Sequence, residues 1–159
     1  MKLKRIDERN IWEVVKLDVF DDQKDFVATN NESLLEAYVA LTSGIVVMPF
    51  ALYEGQNLVG FIMFGYGNGA SAADPKVALG NYCIWRFMID KHWQRQGLGR
   101  AALETALDFL KADPLKKGAK AVWLSYEKEN EVAKKLYASF GFVENGEYCD
   151  GELVAVRPL

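Results

Sequence analysis

Apolar and polar positions recur with different periods along this chain, and each change of period marks an element. Residues 3–5 are extended enough for a short first strand, after which Asp7 is placed to cap a helix carrying Ile11, Val14, Val15 and Leu17 at helical spacing. A polar, acidic stretch, DVFDDQKDFVATNN at 18–31, interrupts the pattern. SLLEAYVAL then repeats Leu34, Leu35, Tyr38 and Leu41 and predicts a second helix with those four side chains inward. The break between the two helices is the natural place for a pocket.

Residues 46–54 and 58–66 read as strands, and Gly55, Gln56 and Asn57 between them have hairpin chemistry. A stretch rich in Gly, Ala and Ser (67–76) leads into YCIWRFMID (82–90), whose aromatic and aliphatic content predicts a central, buried strand. The glycine loop QRQGLG (94–99) comes next. It is followed by RAALETALDFLKA, where Ala102, Leu103, Ala106, Leu107 and Leu110 form one apolar helical face. Beyond a break at 114–118, AVWLSY reads as a buried strand of a parallel arrangement, and residues 129–140 as a helix closed by Gly141. Asp150 and Gly151 divide the remaining residues into a final hairpin. One mixed α/β domain over residues 1–159 is predicted, in the order β-α-α-β-β-β-α-β-α-β-β, without an internal repeat.

Charge narrows the classes of partner. Nineteen basic and twenty-two acidic residues give a net charge of −3, which offers no broad cationic surface for a nucleic-acid backbone. The charged start MKLKRIDERN and the lack of a long apolar run predict a cytoplasmic protein without a membrane partner. Cys83 and Cys149 stand apart from each other and from the single histidine, His92, so no metal and no disulfide framework is expected. His92 reads as a solvated loop residue.

A glycine loop between a buried strand and a helix start presents backbone N–H groups at the positive end of a helix dipole, which suits a phosphate. Gly97 and Gly99 are expected to matter because a side chain there would block the approach of oxygens or resist positive φ. The spacing excludes a P-loop, which needs Gly-x-x-x-x-Gly-Lys-Ser/Thr, and a dinucleotide fingerprint, which needs G-x-G-x-x-G after the first strand. By spacing alone Tyr137 is a core-edge tyrosine and Asn130 a helix cap. Arg95 and Arg100 are cations near a helix start, where they oppose the dipole unless an anion is present.

The run RFMIDKHWQRQGLG (86–99) resembles the acetyl-CoA signature of the GNAT superfamily of N-acetyltransferases, Gln/Arg-x-x-Gly-x-Gly/Ala, with Gln94, Gly97 and Gly99 at the patterned positions. Asn130 and Tyr137 in NEVAKKLYASFGF match a second feature of that family. The resemblance implies a central, mostly antiparallel sheet of about seven strands and acetyl-CoA as the donor, without a metal. It implies that Phe87, Met88 and Ile89 offer main-chain groups to the pantetheine arm. The loop (Gln94, Arg95, Gln96, Gly97, Leu98, Gly99 and Arg100) would hold the pyrophosphate, Asn130 the cofactor side of the cleft, and Tyr137 would be the general acid. Relatives of this kind are often dimers, and a homodimer is accordingly an expectation.

The acceptor half is less constrained. Some relatives keep a glutamate as base where this chain has Trp85; Glu152 and Glu36 are the candidate substitutes. Asp18, Asp21 and Asp22 fall in the acidic stretch where the family builds its acceptor site, and with Tyr82 and Arg86 they are the candidate acceptor-binding residues. Arg86 would repel a polycation unless a carboxylate neutralises it. CIWRFMID, LSYEKENEVAKKLYASFGF and DGELVAVRPL are similar to bacterial spermine/spermidine acetyltransferases, which implies a polyamine or diamine as the small-molecule amine. Another amine (an aminoglycoside, an amino-acid derivative, a protein amine) or a CoA-binding sensor without turnover are the alternatives.

Overall fold

In the computed structural model, which describes residues 1–67 and 74–159, seven strands form one sheet in the order β1-β2-β3-β4-β5-β7-β6. Residues 68–73 of the Gly-, Ala- and Ser-rich stretch lie outside the described residues. The strands are β1 (Lys2–Arg5), β2 (Val46–Glu54), β3 (Asn57–Tyr66), β4 (Tyr82–Ile89), β5 (Ala121–Tyr126), β6 (Val143–Cys149) and β7 (Glu152–Pro158). Every neighbouring pair is antiparallel except β4 and β5. The two predicted hairpins form at their turn residues: Gly55 adopts φ +58° where Glu54 pairs with Asn57, and Asp150 and Gly151 adopt φ +50° and +90° where Cys149 pairs with Glu152.

The helices cover both faces of the sheet. On one side α3 (Leu98–Lys111) buries Ala102, Leu103, Ala106, Leu107 and Leu110, the predicted face, against Phe64, Tyr82 and Ile84, and α4 (Glu131–Ser139) adds Tyr137 to the same core. On the other side α1 (Ile11–Val14) and α2 (Asn30–Thr42) pack on Ala51, Phe61, Met63 and Met88.

Two local expectations are corrected. Asp7 does not cap α1. Its Oδ1 accepts from the Arg9 amide instead, Asn10 takes the N-cap position, and the helix is a single turn that stops before Val15 and Leu17. Nor does α2 bury the apolar face its spacing suggested. Thr29 caps it in a reciprocal box with Glu32, and that start angle turns Ser33, Ala37 and Ala40 onto the sheet, with Leu34 half-buried. Leu35, Tyr38 and Leu41 are exposed, at 60, 67 and 53 %. Small side chains let the helix backbone lie close to the strands, which the larger residues would prevent.

Candidate active site

The parallel ladder between β4 and β5 is short. Tyr82 pairs with Val122 and Cys83 with Trp123, after which Ile84–Ile89 and Leu124–Tyr126 have no pairing with each other. The sheet thus opens into a split, and main-chain groups of β4 on its β5 side are left without a strand partner. A β-bulge lies at the same level: Met63 pairs with Arg86 and Phe64 with Ile84, so Trp85 has no partner of its own on β3. An extra residue keeps two successive side chains on one face. Trp85 packs with the α2-side clusters and Arg86 reaches α2, while Phe87 and Ile89 return to the α3 side and Met88 to the α2 side.

At the far end of β4, Asp90 is buried and organises the exit of the chain. Its carboxylate accepts from the amides of Asp18 (2.9 Å) and His92 (3.0 Å) and contacts His92 Nδ1 at 2.8 Å. Burial opposes its ionisation, but these hydrogen bonds outweigh that and hold its carboxyl below the ordinary range. Gln94, expected at the cofactor, spends its side chain within the protein. Its Nε2 donates to the Ile89 carbonyl (2.9 Å) and to Gln23 (2.8 Å), and its Oε1 accepts from Gln23. The side chain therefore shapes the loop, which then turns through Arg95 (φ +61°) and Gly97 (φ +78°).

Helix α3 starts with Gly97 as N-cap, no side chain caps it, and no acidic residue occupies its first turn. The amides of Leu98 and Gly99 find no partner among the described residues, and Arg95 and Arg100 flank them. Free N–H groups, a helix dipole and two cations suit an anion. Of the two reasons expected for these glycines, positive φ does not apply to Gly99, where an added Cβ would meet Leu136 only at 3.8 Å. The conformational demand sits on Gly97 alone. Gln96 donates to the His92 carbonyl (3.2 Å), Leu98 packs on the core, and Arg100 reaches Ser139 Oγ (2.9 Å) over the Phe140 ring.

Across the split, Asn130 caps α4 by accepting from the Ala133 amide at 3.1 Å, leaving its Nδ2 open among the described residues. Tyr137 is buried, its ring against Tyr126 and Phe142 at 5.7 and 5.8 Å, and its hydroxyl has no hydrogen-bond partner among the described residues. Burial, then the neighbouring Glu152 carboxylate, pushes its phenol well above the ordinary tyrosine value. Glu152 starts β7 and accepts from the Ser125 hydroxyl. The split thus has open amides at one end, unpaired main chain along β4, and a protonated phenol beside a carboxylate.

The α2 face carries the acceptor-side candidates. Glu36 Oε2 meets Arg86 Nη2 at 2.9 Å, so Arg86 is neutralised and Glu36 is committed to it. Asp18 is held by Lys91 (3.0 Å) and Lys24 (3.9 Å), and Asp21 by Lys24 (2.6 Å), which cancels much of the acidic stretch's charge; Asp22 is exposed. A pocket of about 100 Å³ opens here, lined by Asp18, Lys24, Val27, Thr29 and Met88 among others. Tyr82 is corrected. It is fully buried in the α3-side core, donates to Asp113 (2.6 Å) and accepts from the Leu115 amide (3.1 Å), so it has no free group for a substrate. Asp90, Gln23 and Trp123 are placed here without having been singled out by the sequence. An acidic residue ending an apolar strand was the available signal for Asp90; nothing marked the other two.

The comparisons with known proteins agree with this geometry. Residues 9–142 match the acetyltransferase (GNAT) family, and the chain belongs to that family. It is 31% identical over 160 residues to a probable spermine N(1)-acetyltransferase of Bacillus subtilis subsp. natto, covering 100% of this chain and 99% of that one. It is 36% identical over 95 residues to the ribosomal protein bS18-alanine N-acetyltransferase of Escherichia coli, covering 60% of this chain and 62% of that one. The fold matches the aminoglycoside acetyltransferase AAC(6')-Ib in complex with coenzyme A with a TM-score of 0.78 at 14% identity, over 99% of this chain and 94% of that one. The protein is an acyl-CoA-dependent N-acetyltransferase with a mixed α/β fold.

Proposed function

We propose that this protein transfers an acetyl group from acetyl-CoA to a primary amine of a polyamine or diamine, by direct attack within a ternary complex. The observation that carries the acceptor class is the match along the whole chain to a probable spermine N(1)-acetyltransferase. Neutralisation of Arg86 by Glu36 removes the repulsion that a free guanidinium would exert on a polycation.

The residues fit the donor. The amides of Leu98 and Gly99 at the uncapped start of α3, with Arg95 and Arg100, would hold the pyrophosphate, and Phe87, Met88 and Ile89 would pair with the pantetheine arm through their main chain. Asn130 Nδ2 would close the opposite wall. When bound, acetyl-CoA supplies the thioester carbonyl and a thiolate leaving group. The chain's own work is proton handling and orientation. An acceptor ammonium must lose a proton before attack. Glu36 is spent on Arg86, so Glu152, oriented by the Ser125 hydroxyl, is the carboxylate left to accept it, directly or through water. A β4 amide left unpaired at the split would be the donor available to the thioester oxygen. Tyr137, protonated at neutral pH and without a hydrogen-bond partner among the described residues, would give its proton to the sulfur as it leaves.

A panel of amines tests the reading: spermine, spermidine, putrescine and cadaverine beside an aminoglycoside and a peptide N-terminus, with CoA thiol release as the readout. Fastest release with the polyamines supports it. Binding of CoA without acceleration by any amine would make the protein a sensor instead.

A further inference from the structure

Two buried donors on the α2 face have no use in the scheme above. Among the described residues, the indole N–H of Trp123, a residue 7% exposed, has no acceptor, and the Arg86 Nε–H is likewise buried and unpaired. The rest of the Arg86 guanidinium is engaged, Nη2 with Glu36 and Nη1 with the Trp85 carbonyl at 3.0 Å. The two donors belong to opposite sides of the split: Trp123 is on the last paired rung of β5, facing Cys83, and Arg86 follows the β4 bulge. Trp85 links them, packing in one cluster with Trp123 and lying under the Arg86 guanidinium at 5.5 Å. A buried N–H without an acceptor costs folding free energy unless a ligand completes it.

We propose that Trp123 Nε1 and Arg86 Nε form a subsite that takes an oxygen of the acceptor molecule, an amide carbonyl or a carboxylate. A bare polyamine carries only ammonium groups at neutral pH and satisfies neither donor. The subsite therefore selects, within the diamine class inferred above and resting on that reading, amines that bear an acyl oxygen: diamino acids and their amides. The net charge of the Arg86–Glu36 pair is zero, so an uncharged carbonyl is accommodated as well as a carboxylate.

The matched series cadaverine, lysine and lysinamide isolates that oxygen, because the three share a five-carbon diamine and differ only in the carbon substituent. The expected result is a kcat/KM at least about tenfold higher for lysine or lysinamide than for cadaverine in the native protein. That preference falls to less than about threefold in Trp123→Phe, which keeps the ring and removes the N–H, and in Arg86→Lys, which keeps the charge for Glu36 and removes Nε. The KM for acetyl-CoA stays constant in both. Thermal unfolding of each variant establishes that it is folded, and Arg86→Lys carries the test if Trp123→Phe is not. Lysine against lysinamide separates carboxylate from carbonyl. Equal turnover of the three, or a preference that survives both substitutions, overturns the subsite while leaving the diamine reading in place. Binding of lysinamide to the CoA-loaded protein, weakened in both variants, with no diamine turned over, sustains the subsite and overturns the diamine reading.

Discussion

The Glu36 carboxylate and the Arg86 guanidinium meet at 2.9 Å, and that contact ties α2 to β4 on the face where an acceptor would enter. The guanidinium has a half-buried side chain and makes no other ion pair among the described residues, Glu32 sensing it only at longer range, so its charge is felt by any cation nearby once Glu36 is lost. Glu36→Gln is expected to raise the KM for spermidine several-fold and to leave the KM for acetyl-CoA unchanged. Adding Arg86→Gln to the same chain removes the unpaired charge and restores the spermidine KM to within about twofold. Steady-state kinetics on the two variants checks both statements; a double variant as impaired as the single would mean that Glu36 contacts the amine itself.

The glycine loop separates two glycines that look equivalent in the sequence. Gly97→Ala forces an L side chain into φ +78°, at a cost of about 1–2 kcal/mol, and displaces the amides that follow it. Gly99→Ala adds a methyl group at ordinary contact distance from Leu136 and Ile89, and as a helical residue it gains up to about 1 kcal/mol of helix propensity. Thermal unfolding should rank the variants Gly99→Ala, native, Gly97→Ala from most to least stable. A CoA titration should show weakened binding in Gly97→Ala.

Tyr137→Phe removes a hydroxyl that makes no hydrogen bond among the described residues, so folding stability should not fall. Turnover should fall by about 10²–10⁴-fold if the phenol is the general acid. Acetyl-CoA affinity should be preserved. A chemical-denaturation curve and a single-turnover measurement together distinguish this from a packing role, which would lower stability and spare the rate. Unchanged turnover would remove Tyr137 from the acid role.

Much of this arrangement was legible in the sequence because it is written in local signals. Strand lengths, both hairpins and the apolar face of α3 follow from periodicity and turn chemistry. What was not legible depends on how elements meet. The bulge at Trp85 adds one residue to an apolar strand without disturbing its composition, yet it decides that Arg86 faces α2. The face α2 buries could not be read from Leu35, Tyr38 and Leu41, because small residues on another face let the helix lie closer to the sheet. The pairing of Asp18 and Asp21 with lysines depends on Lys91, seventy-three residues from Asp18, folding back over the acidic stretch, and on Lys24 within it. The burial of Tyr82 depends on Asp113 and Leu115, which come from the segment following α3, 31 and 33 residues away in the chain.

The buried phenols set an alkaline limit on stability. Burial, and hydrogen bonds to Asp113 and Glu144 respectively, push Tyr82 and Tyr126 up to about 12 from an ordinary value of 10.0. For a group whose folded pKa is raised, the stabilisation is complete below the unfolded value and is lost as pH rises toward the folded one. Between pH 10 and 12 the unfolded chain binds fewer protons at these sites than the folded chain, so unfolding becomes easier by about 2–3 kcal/mol per group. Cys83, pushed up by burial, begins the same decline at lower pH. Denaturant midpoints should therefore be flat near neutrality, start to fall around pH 9 and drop steeply from pH 10. Tyr82→Phe provides the control. It should lower stability at pH 7 by about 1–2 kcal/mol through the lost Asp113 and Leu115 hydrogen bonds, and should make the alkaline fall shallower by the contribution of one phenol. An unaltered alkaline slope in that variant would show that Tyr82 ionises as readily in the folded chain as in the unfolded one.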